Sequence, residues 1–303
     1  MRLPELQIEM RMKSYFSVLI LPLFFFPQIV RSQEVIPLNA ADITEGAITR
    51  TDTYDLEGLF TYLGGNSADL CVEFGFGSLL VQDISFGDDR IKIELFRMNS
   101  PEAAFGLYSL SIVQCVVRDS LNAYDCTNKY QYDGAYGNLY LNITSESGSE
   151  FAIRQYWILA QKLMQKNASP TLLLPEPFEL PRMKASRKNL VFMGGHTALQ
   201  NSLFPWQALF LGVNFAMYSI ILPAPVADIY FARIKVPSQR DLTLFLGYAG
   251  LMDGITPRPN HTDSDGLYRE YRQVSPDDPL TIYFLQSQEP FPIDGLIQTG
   301  RQR

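Results

Sequence analysis

The sequence predicts an α+β fold made of two related halves, in each of which an antiparallel sheet packs on capped helices. Three observations predict it. Apolar and polar residues alternate over short segments, a period that is typical of half-buried strands. Hydroxyl side chains that can cap a helix stand before the segments with helical spacing. The same order of turn, hairpin and capped helix occurs twice along the chain.

The chain begins with a predicted signal peptide, residues 1–32. Arg11 and Lys13 precede an apolar run at residues 15–26, and small residues follow up to an expected cleavage after Ser32. The alternative is a retained membrane anchor, but a spanning helix needs about 20 apolar residues, and prolines interrupt this run. The sequence therefore predicts a periplasmic or secreted protein with no membrane span after cleavage.

The first half, residues 33–168, starts with a predicted hairpin and a helix. Its strands are expected at residues 79–86 and 90–98, where apolar residues occupy alternate positions. Ser100 is a hydroxyl cap, and Pro101 suits the first position of a helix. The sequence therefore predicts a helix that begins at Pro101.

A second unit of the first half and a connector follow. Residues 138–144 alternate like a strand, and Ser149 caps a helix that extends to Lys166 because apolar residues recur at helical spacing. Four prolines then predict a stiff connector without regular structure at residues 169–186.

The second half, residues 187–303, repeats the order of elements in the first. Strands are expected at residues 216–222 and 227–236, and Ser238 is the predicted cap of the next helix. A further strand at residues 280–285 precedes a polar tail.

A shared Gly-Gly motif predicts that the halves arose by internal duplication. Residues 62–68 read YLGGNSA and residues 192–198 read FMGGHTA, which match in kind at every position. Under this hypothesis Asn66 and His196 occupy equivalent positions, and the two Gly-Gly corners have similar surroundings.

The composition places the chain among globular proteins and disfavours two classes of partner. Hydrophobic residues make up 47% of the chain, aromatic residues 13%, and the formal net charge is −7. Nucleic acids and anionic membranes both favour clustered Lys and Arg, and no run of more than two basic residues appears after residue 33. We therefore expect no nucleic-acid partner.

The three cysteines predict one disulfide bond and one buried thiol. Cys115 and Cys126 lie close in sequence around a polar stretch, and an exported chain folds where disulfides persist. Cys71 lies in an apolar, strand-like run at residues 69–74. We interpret it as a small buried hydrophobe and disfavour a role as nucleophile, since no His lies near it in sequence.

One part of the sequence resembles a known family. Residues 55–65, the turn at 74–76 and residues 94–109 (ELFRMNSPEAAFGLYS) resemble an uncharacterised family of exported bacterial proteins that is known as a domain of unknown function. The resemblance implies export and this type of fold. Its motifs are turn and packing motifs, so it implies no catalytic residue.

No motif predicts a metal or a cofactor. His196 and His261 are the only histidines and lack the spacing of zinc ligands. Asp263 and Asp265 resemble a fragment of a calcium loop, but the bidentate acid is out of register, and a solvated loop is favoured. The Gly-Gly pairs lack the Lys-Ser/Thr of a phosphate loop.

These observations favour a non-enzymatic binding or structural protein with a ligand site between the halves. Tyr62, Asn66, Phe192 and His196 are the candidate binding residues, because duplicated halves often form pockets at their junction. The partner is a small molecule, a glycan or a protein. The alternative is an extracytoplasmic hydrolase that uses His196 or a carboxylate pair. The acids considered for that pair are Asp55, Glu57, Asp69, Glu73 and Glu94.

Overall fold

The computed structural model describes most of the chain after the predicted signal. It covers residues 34–297 except 113–114, 168, 182, 184–187, 203, 216–219, 223–228 and 253–265. The predicted signal, His261 and the calcium-like segment therefore lie outside the described residues. The described residues form one compact unit. Within the described part of the chain, no helix is both long and apolar enough to cross a membrane.

The first sheet has seven antiparallel strands in the order β1-β2-β3-β7-β6-β5-β4. The strands are β1 Ala47–Tyr54, β2 Phe76–Phe86, β3 Asp89–Met98, β4 Val117–Arg118, β5 Asp125–Thr127, β6 Gln131–Tyr136 and β7 Leu139–Ser145. The hairpin of β2 and β3 and the strand β7 confirm the predicted strands of the first half.

The second sheet has five antiparallel strands in the order β11-β12-β10-β9-β8. The strands are β8 Val191–Met193, β9 Ile220–Leu222, β10 Ile229–Lys235, β11 Tyr268–Ser275 and β12 Asp278–Ser287. Together with the helices, the two antiparallel sheets confirm the predicted α+β class.

Four of the helices begin after a hydroxyl or carboxylate cap. The helices are α1 Leu56–Leu63, α2 Gly65–Glu73, α3 Pro101–Ser111, α4 Glu150–Lys166, α5 Glu176–Glu179, α6 His196–Ser202, α7 Gln239–Tyr248 and α8 Asp294–Ile297, with 3₁₀ turns at Ala40–Asp42 and Phe204–Phe210. The side chains of Ser100, Ser149 and Ser238 each accept a backbone N–H of the first helical turn, which satisfies a donor that the helix leaves unpaired.

Two expectations about local structure were wrong. Residues 69–74 are not a strand, because Cys71 lies in α2 and shares its buried side with Ala68. A spacing of three is helical, and a six-residue apolar run is too short to separate the two states. The connector is also not free of regular structure, since it contains α5, whose Phe178 is buried in the core.

One hydrophobic core joins the two halves. The ring of Phe105 in α3 lies 4.9 Å from that of Phe192 in β8, and both belong to a core cluster that reaches from Leu59 to Leu296. A second cluster fills the opposite face of the first sheet, where α4 packs. The core is therefore shared, and the boundary between halves at residues 169–186 stays a prediction.

The two sheets share a strand order. If the short strands β4 and β5 are set aside, each sheet contains its own strands in the order first, second, third, fifth, fourth. A Ser-capped helix follows the third strand in both, α3 in the first and α7 in the second. This order favours the duplication, but the surroundings of the Gly-Gly corners, described below, differ, and the duplication stays a prediction.

Candidate functional site

A pocket of about 440 Å³ lies on the face of the first sheet that packs against α2 and α3. Its floor comes from β3, β6 and β7, its walls from the two helices, and Asn201 of α6 completes it. The polar floor residues are Glu94, Gln131, Tyr140 and Asn142. Leucines from the helices supply the apolar part of the lining: Leu63, Leu70, Leu107 and Leu110.

The pairing of three strands brings the polar floor together. Asn142 of β7 is the register partner of Glu94 on one side and of Asp133 on the other. Directly opposed residues of neighbouring strands face the same side of a sheet. Glu94, Asn142 and Asp133 therefore form one row across the sheet under the helices.

Asp133 is the buried member of this row and orders its neighbours on the floor. Its side chain is fully buried and accepts hydrogen bonds from the hydroxyl of Tyr140 at 2.8 Å, from Nδ2 of Asn142 at 2.8 Å and from Nε2 of Gln131. Burial raises the pKa of Asp133, and the three donors oppose that shift. Because the oxygens of Asp133 accept from both amide nitrogens, these contacts fix the orientation of both amides.

Tyr62 and Glu94 form a second ordered pair beside the pocket. The hydroxyl of Tyr62 donates to Oε1 of Glu94 at 2.5 Å. Burial first, and then the contact with Glu94, raises the pKa of Tyr62, so the phenol stays protonated and keeps donating. The Tyr62 ring packs on that of Tyr54 at 4.8 Å, and the ammonium of Lys92 lies 6.0 Å from its centre.

Cys71 lines the pocket as a neutral thiol. It is 2% exposed, and burial raises the pKa of the thiol to about 12, to which the charge of Glu94 contributes. The thiolate is the nucleophilic form of cysteine, so this environment suppresses its reactivity. The structure thus confirms the buried thiol expected from the sequence, although on a helix.

The four predicted binding residues are not brought together. Tyr62 and Asn66 lie at the pocket, Tyr62 through its bond to Glu94 and Asn66 in the lining. Phe192 is 1% exposed in the core, where its backbone N–H donates to Oγ of Ser109. The ring of His196 contacts the backbone oxygen of Val213 at 3.0 Å, and His196 is not part of the pocket lining.

Glu73 joins the halves without forming a pocket. Its carboxylate, at the end of α2, accepts the backbone N–H groups of Thr197 at 2.7 Å and Ala198 at 2.9 Å and so caps α6. A Cβ atom on Gly195 would lie 2.5 Å from Cδ of Glu73, so glycine lets the carboxylate come this close. Gly65, the equivalent position of the first corner, has open space instead, and the two Gly-Gly corners therefore differ in their surroundings.

Most of the floor was not predicted from the sequence. Glu94 was among the acids considered, but Gln131, Asp133, Tyr140 and Asn142 were not singled out. The available signal was the polar residues at alternate positions of β6 and β7, on the face that should be apolar. Polar residues at buried strand positions need partners, and such a pattern indicates either a network or a site.

A second, wider depression of about 750 Å³ lies along the strand ends and shares Gln131 with the pocket. It is lined by acids and bases together: Asp83, Arg90, Lys92 and Glu146. Because side chains of both charges line this depression, its charge does not favour a cationic over an anionic ligand. Among the described residues no group of three or more His, Cys, Asp or Glu side chains could hold a metal ion.

Comparison with known proteins gives no relative: no protein family, no characterised protein and no solved structure matches this chain. The resemblance to a family of exported bacterial proteins therefore stays an expectation from the sequence.

Proposed function

We propose that this protein is an exported binding protein that holds a small molecule in the pocket on its first sheet. The observation that carries the proposal is the floor ordered by Asp133. Three side chains of the floor are held by one fully buried carboxylate. Burying a carboxylate is costly, so a polar network held in this way is better explained by recognition than by stability.

The dimensions and lining of the pocket support a small molecule over a glycan chain or a protein. Small-molecule pockets have volumes of roughly 300–1,000 Å³ and combine apolar walls with a few placed polar groups. A pocket of about 440 Å³ with leucines on its walls and amides on its floor fits that description.

The hydrolase alternative has less support. His196 contacts a backbone oxygen and does not line the pocket. The other acid in the row of Glu94 is Asp133. Its carboxylate is fully buried, is paired with three donors and does not line the pocket. A glycosidase pair needs two carboxyl groups that both reach the substrate. Cys71 is kept neutral by burial.

Export is supported by the predicted signal and by the bonded pair Cys115 and Cys126, since disulfides persist in oxidising compartments. Expression of the full chain in a Gram-negative host, followed by N-terminal sequencing of the product, tests it. We expect a mature N-terminus at Gln33. Full-length protein retained in the inner membrane would contradict the proposal.

Blocking the pocket should abolish small-molecule binding. Ser67 is exposed on α2 at the edge of the pocket, so Ser67→Trp should fill the opening without disturbing the core. Ligand-observed NMR with a set of cationic, neutral and anionic fragments should find molecules that bind the wild-type protein. We expect Ser67→Trp to weaken their binding by about tenfold or more, a loss of about 1.4 kcal/mol.

Asp69→Trp is the matched control. Asp69 is also exposed on α2 but is outside the pocket lining, so this variant should bind as the wild-type protein does. Fragments that bind both variants equally, or a complete absence of binding fragments, would show that the pocket is not a binding site.

A further inference from the structure

We propose that the pocket selects a primary alkyl- or arylalkylammonium ion, a proposal of ligand class that rests on the binding function proposed above. The hydrogen-bonding groups around the pocket divide into those already paired within the protein and those left free. A ligand can engage only the groups that the protein has left unpaired.

One donor of each amide and hydroxyl on the floor is directed away from the pocket. The amide nitrogens of Gln131 and Asn142 and the hydroxyl of Tyr140 donate to Asp133. The same is true at the wall. The hydroxyl of Ser111 donates to the backbone oxygen of Leu107 at 2.8 Å, and Nδ2 of Asn201 donates to that of Thr197 at 2.9 Å.

The acceptors remain. The amide oxygens of Gln131, Asn142 and Asn201 have no hydrogen-bond partner among the described residues. Glu94 uses Oε1 to accept from Tyr62, and Oε2 has no such partner. The amides of Gln131, Asn142 and Asn201 each keep a second N–H, and Asn66 and Ser67 carry donors at the exposed edge. Among the free acceptors, Oε2 of Glu94 is the charged one, and no donor of the described residues engages it. A ligand that reaches it with an N–H or O–H gains this hydrogen bond.

The charge balance of the pocket favours a cation. Glu94 is half-buried, and no cationic side chain of the described residues forms an ion pair with it. Lys92 lies two residues before Glu94 in β3, where its ammonium sits beside the Tyr62 ring, and it is exposed. A charged donor that reaches Glu94 would gain a charge-assisted hydrogen bond, which is stronger than a neutral one.

The remaining walls suit the body of such a ligand. Tyr140 and Phe96 line the pocket and stack with ring centres 5.4 Å apart, and an ammonium group is attracted to the face of an aromatic ring. The leucines of α2 and α3 offer an apolar surface for an alkyl or aryl group. Three donors on a compact head with an apolar body describe a primary ammonium ion.

A series of three probes tests the ligand class. 2-Phenylethylammonium, 2-phenylethanol and 3-phenylpropanoate share an aryl body and differ in charge. Isothermal titration calorimetry at neutral pH and low salt should give a dissociation constant for the ammonium ion that is about tenfold or more below that of the alcohol, the factor expected from one charge-assisted hydrogen bond. The carboxylate should bind least.

Two substitutions test the geometry. Glu94→Gln keeps an acceptor for Tyr62 but turns an amide nitrogen toward the pocket, so the preference for ammonium over alcohol should be lost. Asp133→Asn replaces one acceptor oxygen with an amide nitrogen. At least one of the amides of Gln131 and Asn142 must then turn its oxygen toward position 133 and its nitrogen toward the pocket. The affinity for the ammonium ion should therefore fall relative to the affinity for the carboxylate.

Asp83→Asn is the control, because Asp83 lies in β2 outside the pocket lining. This variant should leave the preference for ammonium over alcohol unchanged. Equal affinity for ammonium and alcohol, or a preference that survives Glu94→Gln, would overturn the proposed ligand class. The proposed binding function would still stand if Ser67→Trp blocks the binding of other fragments. Ammonium binding that Ser67→Trp does not affect would overturn the proposed function as well.

Discussion

Replacing Phe74 with alanine is expected to lower the free energy of unfolding by about 3–5 kcal/mol, the range measured for truncating a buried Phe. Phe74 follows α2 and is fully buried. Its ring packs on bare backbone from both halves, since a Cβ atom on Gly106 would lie 2.3 Å from it and one on Gly194 3.1 Å. The cavity left by alanine would open between α2, α3 and the end of β8.

Denaturant unfolding monitored by circular dichroism measures this effect. The control is Val72→Ala, two residues away, because Val72 is 40% exposed and loses little buried area on truncation. We expect that control to cost less than about 1 kcal/mol. Similar losses for the two variants would contradict the central position given to Phe74.

The starts of three helices could be predicted from the sequence. Ser100, Ser149 and Ser238 stand at the caps of α3, α4 and α7, as expected. A cap is a contact between residues three apart, so the information lies within one turn of chain. The same holds for the hairpin of β2 and β3, whose register follows from a short turn.

Elements that depend on distant packing were harder to predict. Residues 69–74 are apolar enough for a strand, and only packing under the sheet selects the helix. The short helix α5 in the connector also depends on distant packing, because its Phe178 packs against Phe231 of β10 with ring centres 5.5 Å apart. In both cases tertiary contacts decide between states that local sequence leaves nearly equal.

The candidate site was predictable only at its edge. The Gly-Gly corner drew attention to Tyr62 and Asn66, which do lie at the pocket. The floor depends on β7 lying between β3 and β6, which aligns Glu94, Asn142 and Asp133. That pairing joins residues far apart in the chain, and neither composition nor local periodicity specifies it. A junction site was expected, whereas all but Asn201 of the pocket lining comes from the first half.

Removing the disulfide bond should cost about 3 kcal/mol in the free energy of unfolding, since the bond closes a short loop in the unfolded chain. Cys115 and Cys126 are separated by 11 residues, and their Cα atoms lie 5.5 Å apart. Cys126 is buried in β5, and it pairs in register with Asp133 of β6. The bond therefore holds the outer strands of the sheet beside the strand that carries the buried carboxylate.

The double variant Cys115→Ala/Cys126→Ala and the wild-type protein should be compared by denaturant unfolding without reductant. Cys71→Ala is the control, because Cys71 is a free buried thiol whose loss removes no cross-link. Labelling of the unfolded, unreduced wild-type protein should find one thiol. Three labelled thiols, or a bond that involves Cys71, would refute the pairing. They would also weaken the case for export, because an oxidising compartment is where this cross-link forms and persists.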